Sequence, residues 1–178
     1  IGTSRPHESA TLHATGRAPY IDDLPEVAGT LHGALGLSPV AHGRLVALDL
    51  ARVRAMPGVV AVLSAADIPG VNDCGPIVHD DPILAQGTVN WRGQPMFLVV
   101  ARTRGEARRA AALAAQVATI EPLPAVLDPL EAHRLQQYVV PPMHLQRGDA
   151  AAAIAAAPHR LEGRFSLGGQ EQFYLDGQ

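Results

Sequence analysis

Apolar and polar positions alternate with a period of two at three places along the chain and with a helical period at one. Thr30 to Ser38 places Leu31, Gly33, Leu35 and Leu37 on one side, the pattern of a half-buried strand. Arg44 to Leu50 repeats it with Val46, Leu48 and Leu50 sharing a face. Ala51 to Met56 fits a short helix stopped by Pro57-Gly58, and Val59 to Leu63 is an unbroken apolar run that suits a strand covered on both faces. Ser64 is a good N-cap for a single turn through Asp67, which Pro69-Gly70 ends. Val89-Asn90-Trp91, a turn at Arg92 to Pro95 and the run Met96 to Ala101 predict a further strand. Thr103 then caps an alanine-rich helix over Arg104 to Val117, with Arg104, Arg108 and Arg109 on its wet side, and Ala118 to Glu121 closes the series as a strand. The order strand, strand, short helix, strand, loop, strand, helix, strand defines an α+β domain over residues 16–121.

Outside that series the periodicity fades. Gly16 to Asp23 reads as a turn after an N-terminal extension over residues 1–15, and Val71 to Thr88 is a long polar excursion of the kind that is functional, interfacial or mobile. Pro122, Pro124, Pro129, Pro141 and Pro142 mark residues 122–146 as an extended linker with one helical turn near Pro129 to Leu135, and hence a domain boundary. Asp149 caps a short alanine helix over Ala150 to Ala157. Arg160 to Leu167 reads as a strand with nothing after it to pair with, so residues 147–178 look like the first elements of a second domain. The chain opens on Ile1 and stops at Gln178, and a piece of a longer polypeptide is the expectation.

The 178 residues are 47% hydrophobic and 17% charged, the balance of a globular chain. All 14 basic residues are arginine and they face 17 acidic ones, giving a formal charge of −3 without any long basic run, so nucleic acid is not the expected partner. No run approaches the roughly 18 apolar residues of a membrane span, and no signal pattern opens the chain, so a cytoplasmic location is expected. A single cysteine, Cys74, fits a reducing compartment.

Side chains with chemistry are scattered. The eight histidines show neither an i, i+4 pair on a helix nor a partnering cysteine motif, which disfavours a metal site. Cys74, with His79 five residues on, reads as an incidental thiol before a nucleophile. Asp73, Asp80 and Asp81 read as solvated turn formers before an acid/base set. Gly168-Gly169 lacks the Lys-Ser/Thr of a phosphate loop and the third glycine of a dinucleotide fingerprint.

Four segments taken in order nevertheless resemble one family. Gly16-Arg17-Ala18-Pro19-Tyr20-Ile21-Asp22-Asp23, the stretch Pro57 to Val62 with Ala65 to Asp73, Gly93-Gln94-Pro95, and Gly168-Gly169-Gln170-Glu171-Gln172-Phe173-Tyr174-Leu175 are similar to the large, molybdenum-binding subunit of xanthine dehydrogenases. The wording of Val71 to Ala85 is closer to bacterial xanthine dehydrogenase than to aldehyde oxidase or carbon monoxide dehydrogenase. The resemblance implies that residues 16–121 are the family's α/β hammerhead domain and that residues 147–178 open its molybdopterin-binding domain. It implies an oxidoreductase that, when complete, hydroxylates purines such as hypoxanthine and xanthine to urate using water, with molybdenum-molybdopterin in this subunit. FAD and 2Fe-2S clusters would lie on partner subunits or domains of a hetero-oligomer.

The resemblance also gives Gln170 a role, that of a neighbour of the metal whose amide donates a hydrogen bond to an oxygen ligand of molybdenum. Where the family has His two residues later this chain has Gln172, and the family's Leu-Glu ending is Leu175-Asp176 here. The resemblance further implies that the general base and most pterin contacts fall outside this sequence, so the isolated chain is expected to be inactive. The rival expectation is a non-catalytic hammerhead module that docks partner subunits and holds no cofactor.

Overall fold

A computed structural model describes residues 2–170 of the chain. Residues 27–137 form one compact unit, and residues 2–26 with 138–170 form another. The second holds α1 (Ala10–Ala14), a 3-10 turn over Ile21–Asp23 and, near the other end of the chain, an alanine helix at Ala150–Ala156. The Tyr20 amide donates to the Asp23 carboxylate at 2.9 Å, and Asp149 accepts from the Ala152 amide at 2.9 Å, so each turn begins on a satisfied cap.

In the larger unit the chain runs through β1 (His32–Leu37), β2 (Gly43–Leu48), α2 (Ala51–Arg54), β3 (Val59–Leu63), β4 (Thr88–Val89) and β5 (Pro95–Ala101). It continues through α3 (Arg104–Ala111), α4 (Ala114–Val117), β6 (Ala118–Pro122) and α5 (Pro129–Arg134), which makes the Ala150–Ala156 helix α6. The strands form two antiparallel sheets of three, in the orders β1-β5-β3 and β4-β2-β6.

The core is built on β5. Met96, Phe97, Val99 and Ala101 are fully buried, and the first three pack with Leu50, Val53 and Val62 and with alanines of α3 and α4. Gly36 lies directly opposite Phe97, and a Cβ added there would come within 2.1 Å of the ring. Thus β1 alternates as its sequence predicts, but its inward face carries His32, Ala34 and Gly36, while Leu35 and Leu37 stand 47% and 45% exposed on the other. A large residue on the neighbouring strand supplies the volume that the small residues of β1 leave free.

Other departures have local causes. The pairing of β2 with β6 shifts between Leu45 and Ala47, so Val46 is displaced outward and the shared face of Val46, Leu48 and Leu50 is not formed. The run Val59 to Leu63 is an edge strand rather than one covered on both faces, leaving Val60 and Leu63 partly exposed. Thr103 caps α3 as expected, its hydroxyl oxygen accepting from the Glu106 amide at 3.2 Å and its O–H donating to the Glu106 carboxylate at 2.9 Å. That carboxylate occupies the space a Cβ of Gly58 would fill, and Gly58 adopts φ +78°, so the glycine before β3 serves both the turn and the helix start. The helix expected over Arg104 to Val117 divides at Ala112-Leu113, where the Leu113 amide bonds to the Ala110 carbonyl at 3.2 Å. Nothing in the sequence there explains the break.

The proline-rich stretch after β6 is tied down along its first half. The Leu123 amide donates to the His42 carbonyl at 3.0 Å, and His42 Nδ1 lies 2.7 Å from the Pro124 carbonyl, which can only accept, so this nitrogen carries the proton. Asp128 caps α5 by accepting from the Leu130 amide at 2.8 Å.

Candidate functional site

Gln170 comes at the end of a stretch, residues 157–170, that forms neither helix nor strand. The strand expected over Arg160 to Leu167 is not present: Leu161, Phe165 and Leu167 are 103%, 93% and 89% exposed, and no described strand pairs with them. An alternating pattern becomes a strand only where a partner backbone runs beside it. Around Gly168 and Gly169 an added Cβ would meet nothing within 4 Å, so no close neighbour accounts for this glycine pair among the described residues. Gln170 is exposed and forms no hydrogen bond among them. Glu171 to Leu175 and Asp176, the rest of the same motif, lie outside the described residues.

A primary amide is chemically suited to donate to an anionic or oxygen-rich group. Among the described residues no three His, Cys, Asp or Glu side chains converge as a metal site, and no helix is long and apolar enough to cross a membrane. Gln170 thus presents one exposed amide, and the described residues beside it in the chain supply no cradle for a molybdenum-molybdopterin group.

The loop from Val71 to Thr88 is more ordered than its polarity suggests. Asp73, only 11% exposed at its side chain, accepts from the amides of Gly75 (3.2 Å) and Asp81 (3.1 Å) on one oxygen and from His79 Nδ1 (2.6 Å) on the other. These bonds, led by the one from His79, hold its carboxyl below the usual range. Asn72 clamps the other end of the loop, donating to the Leu84 carbonyl at 2.8 Å and accepting from the Leu84 amide at 3.0 Å. Asp73 is therefore a structural hub rather than the solvated turn former that was expected. The signal that carries this role is an Asn-Asp pair two residues before a glycine, the sequence of a side-chain-capped turn. Cys74 donates to the Asp81 carbonyl at 3.3 Å, and desolvation followed by the Asp81 charge pushes its thiol up, which disfavours the thiolate a nucleophile needs.

Comparison with known proteins identifies the architecture. The profile of the family described as "Aldehyde oxidase and xanthine dehydrogenase, a/b hammerhead domain" matches residues 15–121. Xanthine dehydrogenase of Oryza sativa subsp. japonica is 36% identical over 100% of this chain, and aldehyde oxidase 2 of Cavia porcellus is 38% identical over 100% of it. Among solved structures, a Cu,Mo-CO dehydrogenase superposes with a TM-score of 0.62 at 31% identity, covering 74% of this chain and 17% of that one. The α+β fold is thus that of a hammerhead domain, and the chain belongs to the xanthine dehydrogenase and aldehyde oxidase family of oxidoreductases. It spans 13% of the length of each of the two curated relatives.

Proposed function

We propose that this chain forms the N-terminal portion of the large subunit of a xanthine dehydrogenase-like molybdenum hydroxylase, a cytoplasmic enzyme that converts hypoxanthine and xanthine to urate. Residues 16–121 are its hammerhead domain, residues 122–146 lead out of it, and residues 147–178 begin the molybdopterin-binding domain. The remainder of the subunit and a subunit carrying FAD and 2Fe-2S clusters are the partners. The observation that supports this reading best is similarity along the whole chain, not the hammerhead alone, to a protein named xanthine dehydrogenase. Aldehyde oxidase 2 matches to the same extent, so the purine substrate rests on the motifs of residues 71–85.

Within the complete enzyme Gln170 orients the metal site by donating a neutral hydrogen bond, and the bound group supplies the redox chemistry of hydroxylation. The experiment is metal analysis and a urate absorbance assay on the complete large subunit with its flavin and iron-sulfur partner, beside the 178-residue chain alone. Molybdenum and xanthine turnover are expected only in the former. Gln170→Ala in the complete enzyme should lower the rate roughly fivefold, the loss of one hydrogen bond, and Gln170→Glu should lower it further because a carboxylate cannot donate. Gln172→His should be nearly neutral. A complete subunit without molybdenum would favour the non-catalytic docking module, and full rate with full metal in Gln170→Ala would remove this residue from the metal pocket.

A further inference from the structure

An open groove of about 860 Å³ runs along the free edge of β1, from the outward-facing leucines of the sheet to the exposed sides of α3 and α4. Its floor is Leu35, Leu37 and Leu98, with Leu35 directly across the ladder from Leu98. Its wall is Ala112 and Ala115, which carry nothing beyond a methyl group and let an incoming backbone approach the helices closely. At the rim stands Arg108.

The arginine distinguishes this groove from an ordinary patch of surface leucines. On α3 the positions three and four residues away from Arg108 are Arg104, Gly105, Ala111 and Ala112, so its own helix offers it no carboxylate. It has no ion pair elsewhere among the described residues. A groove with an apolar floor, a methyl-lined wall and one unmatched cation complements a segment presenting two apolar side chains and an Asp or Glu. The amount of chain available to supply such a segment is large, since this sequence aligns from end to end with relatives of which it makes up only 13%.

We propose that this groove is the docking site for an acidic, amphipathic segment of the same large subunit lying beyond residue 178, with Leu35, Leu37 and Leu98 receiving its apolar side chains and Arg108 its carboxylate. The proposal rests on the reading of the chain as part of a molybdenum hydroxylase subunit.

The test places the photo-crosslinking residue p-benzoylphenylalanine at position 37, and separately at position 115, of the complete subunit, with position 60 on the exposed side of edge strand β3 as the control. Crosslinked peptides are identified by mass spectrometry in a mixture of heavy- and light-labelled subunits. Positions 37 and 115 should both capture one peptide of the same polypeptide, from outside residues 1–178 and bearing Asp or Glu. Arg108→Glu should cut the yield roughly fivefold and Arg108→Lys should largely retain it. Capture of a second copy, yields no higher than from position 60, or indifference to Arg108→Glu would overturn the proposal. Molybdenum content is measured on the same preparations. Intact metal with failed capture defeats the docking site alone, whereas correct capture without metal defeats the enzymatic reading and leaves the docking site standing.

Discussion

Replacing Gly36 by alanine adds one methyl group, and the structure leaves it nowhere to go. The new Cβ would lie 2.1, 2.2 and 2.5 Å from three atoms of the Phe97 ring, against an ordinary carbon contact of about 3.5–4.0 Å. A displacement of roughly 1.4 Å is therefore required. The ring is fully buried in the core cluster and cannot swing outward. Turning it off its rotamer costs about 0.5–1.5 kcal/mol, and lifting β1 from β5 loosens the ladder next to the irregularity already present between Gly36 and Leu37. Alanine recovers about 0.4–1 kcal/mol by restricting the unfolded chain. The net expectation is destabilisation by about 2–3 kcal/mol, within the range for overpacked cores. Urea unfolding of the 178-residue chain, followed by the fluorescence of its single tryptophan, Trp91, measures this directly. Gly33→Ala is the control on the same strand: its Cβ would meet only Leu98 Cδ1, at 3.3 Å, and it should stay within about 1 kcal/mol of the parent. Combining Gly36→Ala with Phe97→Leu should cost less than the sum of the two single changes by about 1 kcal/mol or more, because the methyl then fills space the ring has vacated. A Gly36→Ala chain within about 0.5 kcal/mol of the parent, or strict additivity in the double variant, would refute the steric argument.

Two other expectations concern the loop and the proline-rich stretch. Asp73→Ala removes the acceptor of two amides and of His79, so hydrogen exchange should quicken across residues 72–84 while β5 keeps its protection. Because the Asp73 carboxyl is held below its ordinary value, its contribution is present above the unfolded value of about 3.9 and is lost as pH falls through the folded one. Loop protection should therefore be flat between about pH 5 and 7 and decline below about pH 4, a decline absent from Asp73→Ala. Limited proteolysis should cut first in residues 138–148 and leave a fragment ending near Gln137, since Leu123 and Pro124 are held by His42 and α5 follows; an early cut between Pro122 and Val126 would show that this clamp is not retained in solution.

The elements of the hammerhead were legible because each carries a local pattern: alternation in β1, an apolar run in β5, a threonine cap before α3, Pro-Gly after α2. What the sequence did not disclose depends on residues far away along the chain. The inward face of β1 is set by Phe97, which pairs with a glycine that no local rule marks as core. The outward turn of Val46 follows from a mismatch of register against β6, and the edge position of β3 from the order in which strands assemble. Asp73 looked like a turn former because its partners are backbone amides and a histidine up to eight residues away. Residues 160–167 carry the alternation of a strand without the backbone that would make it one. Gln170 is singled out only by resemblance to a family, since an exposed glutamine after two glycines has no physical signature of its own.

The strand order bears on how the polypeptide is made. β5 lies between β1 and β3, so neither of those strands has its partner until residues 95–101 have left the ribosome, some 58 residues after β1 ends. At about 5–20 residues per second, β1 waits roughly 3–12 s as an unpaired segment. Central strand last is a risky schedule for a leucine-bearing strand, because a nascent chain in that state can pair with its neighbours on the same messenger. Gly33 and Gly36, which make room for the side chains of β5 in the finished sheet, also make β1 a poor template for self-association during that interval.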